Sequence, residues 1–439
     1  MESLKNATST ILALLPLEEL ENYIYIGQDK VLELTRKEEL LHLPWLPLLS
    51  TVVVLYLSLV QVLRFHNLRK QTRAYYEYLS NPYRMNYKTA HPILTRIMLY
   101  EAPWMYAFST QWALIKTYAV APGTGLLVQT RQLTTPTTVG KRAEDTGVIL
   151  TEFLVGSMDS ERGSKALAKM NWLHRRYGTK IKQPELLHTL AMFVLEPIQW
   201  FEAYEWRSME EYEQAAIYTY WKEIGNRMGI SNIPPTLSDL KIWVKEYEKT
   251  NIYFTENNKK CAEATMGLFL RNLPLILRPY FQHAAVSLFE PHIRIALGYP
   301  EPPRFIAVLV QIIFRTRKFI LRNLTLPRLY PLDPLPKPDK SGRLFRDAKL
   351  WAFEPWYVKA TVSSWLGALF ATSGQTLPGK AYKSNGFLVE ELGPVEFEKV
   401  SKEPVVLQAE EMRAYGAKGG TIGNGCPFQP LGNPFNYGG

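Results

Sequence analysis

Cysteine is nearly absent: Cys261 and Cys426 are the only two in 439 residues. That excludes a disulfide framework and any four-thiolate zinc or iron–sulfur site, and it fits a reducing compartment. Histidine is also sparse, with seven residues: His42, His66, His91, His174, His188, His283 and His292. No two stand at HxH, HxxH or HxxxH spacing. A zinc helix of the HExxH kind and the histidine boxes of membrane di-iron enzymes are therefore excluded. A cofactor that brings most of its own ligands passes this test, whereas a bare metal mostly fails it. Glycine (26) and proline (30) are too few for a collagen-like or low-complexity chain. A mean hydropathy of −0.15 excludes a polytopic membrane protein. What is present, 46% apolar and 21% charged residues, suffices for one large core or a few domains.

One long uncharged run stands out. Residues 43–63 (LPWLPLLSTVVVLYLSLVQVL) hold no charge over 21 positions, about 32 Å as a helix, close to the hydrocarbon thickness of a bilayer. Pro44 and Pro47 fall in the first turn, where a missing N–H costs little. Length and uniform apolarity favour a membrane span over a buried soluble helix. Arg64, Arg69, Lys70 and Arg73 follow within ten residues with no acid among them, whereas Arg36 and Lys37 ahead of the run are mixed with Glu33, Glu38 and Glu39. The positive-inside rule then predicts residues 1–42 in a lumen and everything after Leu63 in the cytoplasm. Asn6-Ala7-Thr8 is a glycosylation sequon on the predicted lumenal side. Residues 11–17 (ILALLPL) are too short, and lack the basic lead-in, for a cleaved signal. The net charge of +10 reads as attraction to an anionic leaflet; no nucleic-acid motif accompanies it.

From residue 64 to about 325 the patterning is helical and nowhere alternates with period two for long, so the expected fold class is all-α. Helices are predicted over 141–155, 164–177, 185–204 with a kink at Pro197, and 208–228 opened by a Ser208–Glu211 capping box. Further helices are predicted near 237–249, 258–278, 280–296 and 304–324. The run FIAVLVQIIF at 305–314, followed by Arg315, Arg317, Lys318 and Arg322, is too short to span. It reads equally as a helix lying in the membrane interface or as a core helix with a basic end. Prolines recur from Pro327 to Pro338 and predict extended chain; beyond about residue 373 the sequence is Gly-rich and aperiodic. The expected organisation is a lumenal segment (1–42), a span (43–63), a cytoplasmic helical domain (64–372) and a tail (373–439).

Two groups of residues could carry chemistry. His174 ends the predicted helix KALAKMNWLHRRYG, on a face with Leu167 and Met170, and Arg175 and Arg176 follow it. An axial haem ligand needs an imidazole on an apolar wall, with cations nearby for propionates; a helix-terminal histidine favoured by the dipole fits the same pattern. Arg142 and Thr146 stand four apart and share a helix face that continues through Ile149, Leu150 and Phe153. That face suits a buried anionic or oxygen-derived group, and pairing of Arg142 with Glu144 or Asp145 is the alternative. His188, in a strongly apolar helix, reads as a hydrogen-bonded core residue.

Taken in order, these pieces resemble a known family. RxxDT at 142–146, LH at 173–174, the long stretch from Glu185 to Ile230, IRIALGYP at 293–300, RKFILRNLTLPR at 317–328, KPDKSGRLF at 337–345, YVKATV at 357–362, ELGPVEF at 391–397 and GCPF at 425–428 resemble the fungal endoplasmic-reticulum-bound oxygenases. That group's type member acts in mycophenolic acid biosynthesis, and the group is similar in turn to bacterial latex-clearing rubber oxygenases. The resemblance implies a helical haem b protein that uses dioxygen to cleave a carbon–carbon double bond in the prenyl or terpenoid chain of a secondary metabolite. It implies His174 as the axial iron ligand, and Arg142 and Thr146 as residues of the haem pocket. Asp145 stands where rubber oxygenases have a lysine; it is retained as a candidate catalytic position whose chemistry the substitution alters. A hydroxylase on the same fold, a thiolate-ligated mono-oxygenase using Cys426, and a non-catalytic lipid-binding protein are the alternatives.

Overall fold

The computed structural model describes residues 45–347, 354–362 and 377–420. Among these, fourteen helices form and no strand, only three isolated β-bridges, so the all-α expectation holds. Asn6, residues 11–17, His42 and Cys426 lie outside the described residues.

The chain divides into two units, residues 1–63 and 64–439. Of the first, residues 45–63 are described, as the opening part of helix α1 (Trp45–Ala74). Its apolar side chains are exposed: Leu48 66%, Leu55 64% and Val62 64%. Ser50 and Thr51 each donate their hydroxyl to the Pro47 carbonyl at 2.8 Å, which keeps the polar atoms of the run inside its own backbone. This is the exposure of an apolar helix long enough to cross a bilayer, and not that of a core helix.

The second unit begins with the basic end of α1 and continues through α2 (Tyr87–Arg96), α3 (Pro103–Thr117), α4 (Ala121–Gln129), α5 (Val139–Leu154), α6 (Glu161–Arg175) and α7 (Gln183–Tyr204). Then come α8 (Glu211–Arg227), α9 (Leu237–Asn251), α10 (Glu256–Leu270), α11 (Arg278–Val286), α12 (Pro291–Ala296), α13 (Arg304–Asn323) and α14 (Lys402–Ala417). Local chemistry sets most starts. Asn86, Ser160, Thr236 and Thr255 cap α2, α6, α9 and α10 by accepting an N–H three residues on. Between α2 and α3 the chain makes a π-helical turn, Ile97–Glu101, before Pro103 restarts it.

Two predicted boundaries move for identifiable reasons. α8 starts at Glu211, because the reciprocal cap is Glu210 with Glu213, whose Oε2 accepts from the Glu210 N–H at 2.9 Å. Arg207 then holds Glu213 (2.6 Å) and Glu101 (2.6 Å) together. The predicted 280–296 helix is two helices, broken where Glu290 swings to Lys116 at 2.8 Å.

The apolar α7 is the centre of the core and packs on α3 and α8. After residue 373 the described residues, 377–420, are not aperiodic throughout. They carry α14, which lies along α6 with Val405, Ala409, Met412 and Gly416 buried, an i, i+4, i+7, i+11 stripe. The described part of this segment belongs to the same unit as the body.

Lys169, on α6 and fully buried, fastens this packing by donating to Ser401 Oγ (2.6 Å) and the Glu390 carbonyl (3.1 Å). Burial lowers its ammonium to about 8. Between that value and the ordinary lysine value the unfolded chain binds more protons than the folded one, so stability rises with pH across that window. Lys169→Met removes the titration. Urea midpoints measured from pH 8 to 10 should show the wild type gaining on the variant; a constant gap would mean that Lys169 stays cationic in the fold and would refute its lowered pKa.

Candidate active site

A cavity of about 750 Å³ opens between α3, α5, α6, α7 and α10. Its wall is mostly apolar, with Leu150, Met170, Leu173, Phe193 and Phe269 among the lining. A cavity of this size suits a cofactor or a lipophilic ligand. Threonines, tyrosines and glutamines interrupt it, and the charged groups are few.

Arg142 and Thr146 both line the cavity from α5. Arg142 Nη1 donates to Thr146 Oγ1, and that hydroxyl donates to the Arg142 carbonyl at 2.8 Å. Among the described residues Arg142 forms no ion pair. Its two expected partners are taken: Glu144 by Arg346 (2.6 Å) and Asp145 by Lys141 (2.8 Å). Ile149 and Leu150 continue the lining face, whereas Phe153 is buried in the core beside Trp221.

His174 enters from the last turn of α6. Burial, reinforced by the Arg142 charge, lowers its pKa to about 4, so the imidazole is neutral at physiological pH with a lone pair free. Its Nδ1 is enclosed by protein and has no hydrogen-bond partner, an uncommon state for a buried polar atom. Arg176, expected beside it, turns away to lie over the Trp172 and Phe397 rings at 4.8 and 4.0 Å. The cations that line the cavity are Arg142, Arg328 and Arg346. The latter two lie in segments with no helical periodicity; Arg328 closes the RKFILRNLTLPR motif, whereas no sequence signal marked Arg346.

Asp145 is buried and fully engaged. Oδ2 accepts from Lys141 Nζ (2.8 Å) and the Gly393 N–H (3.0 Å), and Oδ1 accepts from the Tyr357 hydroxyl at 2.6 Å. Lys141 also donates to the Gly393 carbonyl. Gly393 has φ +101, and a Cβ there would stand 3.1 Å from the Leu173 side chain, next in sequence to His174. The carboxylate therefore clamps the C-terminal segment against α5 and α6.

Glu144, read from sequence only as a partner for Arg142, lines the cavity as well. Burial pushes its carboxyl above the usual range despite Arg346. His188 is buried with Nε2 2.9 Å from Glu248 Oε1, and it borders the cavity from α7. His91 Nε2 lies 2.9 Å from the Leu154 carbonyl, away from this lining. Among the described residues no three His, Cys, Asp or Glu side chains converge as a bare metal ion would require.

A helical body around an apolar cavity with few polar residues is the setting of an enzyme for lipophilic substrates. The chain belongs to an oxygenase family: the family model described as "ER-bound oxygenase mpaB/B'/Rubber oxygenase, catalytic domain" matches residues 101–318. Among its relatives, the ER-bound oxygenase mpaB' of Penicillium brevicompactum is 29% identical over 393 residues, covering 84% of this chain and 92% of that protein. The ER-bound oxygenase mpaB of Penicillium roqueforti (strain FM164) is 29% identical over 272 residues, 58% of this chain and 91% of that protein. The ER-bound oxygenase mpaB of Penicillium brevicompactum is 27% identical over 364 residues, 78% and 86% respectively.

Proposed function

We propose that this chain is a haem-dependent oxygenase of the endoplasmic reticulum membrane that cleaves a C=C bond in the prenyl or terpenoid chain of a secondary metabolite. One observation carries the reading: His174 presents a neutral imidazole, with Nδ1 unpartnered, on the wall of an apolar cavity beside Arg142. Axial ligation requires a deprotonated nitrogen on an apolar wall, so the residues fit an iron porphyrin. His174 would hold the iron, and Arg142 and Thr146 would flank it. Haem, when bound, supplies the activation of dioxygen.

The chain's own residues do the rest. The apolar wall holds an uncharged prenyl chain and excludes water. Arg142 offers N–H groups for a developing negative charge on oxygen, and Thr146 orients the guanidinium by accepting from Nη1. Asp145, with both oxygens committed, positions α5 against the C-terminal segment. The exposed helix of residues 45–63 anchors the enzyme in the membrane, with the basic residues that follow it on the cytoplasmic side. The relatives' names as ER-bound support the location.

Cleaving one C=C with one O₂ places one oxygen atom in each of two carbonyl products and needs no external reductant. Hydroxylation would insert one atom and reduce the other to water at the expense of a reductant. Full-length protein in detergent, supplied with haem, a farnesyl-bearing phenol and isotopically labelled dioxygen, should give two labelled carbonyl fragments. A labelled alcohol formed only with added reductant would replace cleavage by hydroxylation. Unlabelled, intact substrate under both conditions would favour a lipid-binding protein. Arg142→Met should lower kcat by about 10²–10³-fold, the size of one lost transition-state donor, with KM for the apolar substrate little changed.

A further inference from the structure

α13 is apolar on two faces. Ile306, Val310 and Phe314 are buried against the body. On the other side Phe305, Val308, Leu309, Ile312, Ile313 and Phe319 are each more than half exposed. The neighbouring turn before α11 and the start of α11, which packs against α13, add Leu275 (75% exposed), Ile276 (78%) and Tyr280 (58%). A contiguous apolar face of this extent is rare on a freely soluble surface.

The charge carried by these segments themselves is of one sign, although Arg317 is paired with Glu205 at 2.7 Å. Residues 264–289 and 302–332 contain no Asp or Glu, while 302–332 carry Arg304, Arg315, Arg317, Lys318, Arg322 and Arg328. Arg64 donates to the Thr325 carbonyl (2.7 Å) and Thr325 Oγ1 (2.7 Å), just past the end of α13. The cavity opens beside the same helix. The lining residues that are exposed are Trp104, Ala107, Arg328 and Leu332, and the Trp104 ring is 6.4 Å from Phe314 and under the Arg317 guanidinium at 5.2 Å.

We propose that the exposed face of α11 and α13 docks into the surface of an anionic bilayer, so that the cavity mouth at Trp104 and Leu332 opens to the lipid and takes up its substrate from there. The proposal rests on the reading of residues 43–63 as a span and of the substrate as lipophilic. An apolar stripe with a cationic margin is the pattern of a helix lying in the headgroup region. A second copy of the chain is a poorer occupant, because two such faces would bring like charges together.

The test uses the full chain, Cys426→Ser, reconstituted in phosphatidylcholine–phosphatidylserine vesicles. Single cysteines are introduced at Leu55, Ile242, Leu309, Ile313 or Leu332 and labelled with an environment-sensitive fluorophore. Cys261 is buried, with its thiol pushed up to about 11, and stays unlabelled. Lipids carrying a spin-label quencher should quench Leu309→Cys, Ile313→Cys and Leu332→Cys several-fold more than Ile242→Cys, a control on exposed α9. Omitting phosphatidylserine should weaken that quenching. Quenching at Leu55→Cys alone would leave the span standing and overturn the docking. No quenching at Leu55→Cys would overturn the span and with it the proposal. Cross-linking between Leu309→Cys copies without quenching would assign the face to a dimer and equally overturn it.

Discussion

His174→Ala is expected to give a folded protein that no longer retains haem. Full-length wild type purified after expression with ample haem should show a Soret band, and the variant should not. Two features make the substitution selective. The imidazole is held neutral, its pKa about 4 through burial and the Arg142 cation, and its Nδ1 has no hydrogen-bond partner to lose. The side chain also borders an existing cavity, so truncation enlarges open space without creating a sealed void, and stability should stay within about 1 kcal/mol of wild type. Ligation, by contrast, depends on the imidazole that is removed. Added imidazole should restore part of the band in the variant by occupying the vacated position. Retention of full haem with an unshifted spectrum would remove His174 from the ligand role.

Asp145→Ala is expected to have the largest effect on stability. It strands the Lys141 ammonium, the Tyr357 hydroxyl and the Gly393 N–H in a buried site. Leaving one partner of a buried ion pair uncompensated costs about 3–5 kcal/mol, visible as a large fall in the urea midpoint. Asp145→Asn keeps oxygen for one donor but loses the charge, and should fall between. Combining it with Lys141→Met removes both charges and should recover stability relative to Asp145→Asn alone, a coupling of the kind that double-mutant cycles detect in direct contacts. A carboxylate that instead moves protons would give the opposite signature: Asp145→Asn near wild-type stability with activity abolished.

How much of this was legible in the sequence differs by element. The helices with clear 3.6-residue stripes, α5, α6, α7 and α9, were readable to within a few residues, because their signals are local. The face shared by Arg142 and Thr146 was equally readable, since an i, i+4 spacing has one meaning on a helix. α14 was missed although Val405, Ala409, Met412 and Gly416 mark it; the glycines and polar residues around it diluted the pattern. The alternative pairing of Arg142 with Glu144 or Asp145 does not form, because sequence proximity says nothing about Arg346, Tyr357 or Gly393, which arrive from irregular segments far along the chain. The YVKATV and ELGPVEF motifs that carried the family resemblance turn out to supply Tyr357 and Gly393, the two C-terminal contacts to Asp145.

The distance of those contacts along the chain sets an order of events during synthesis. Asp145 receives a donor 212 residues downstream and another 248 residues downstream. At ordinary elongation rates the ribosome needs roughly 10–50 s to make that stretch. Until then Lys141 and Asp145 have only each other and α14 has not yet been made, so a nascent chain that stops short of Gly393 holds an unfinished pocket. Any cofactor held in this pocket as proposed would be captured only once Gly393 is in place, and truncations that remove both Tyr357 and Gly393 should behave as complete losses.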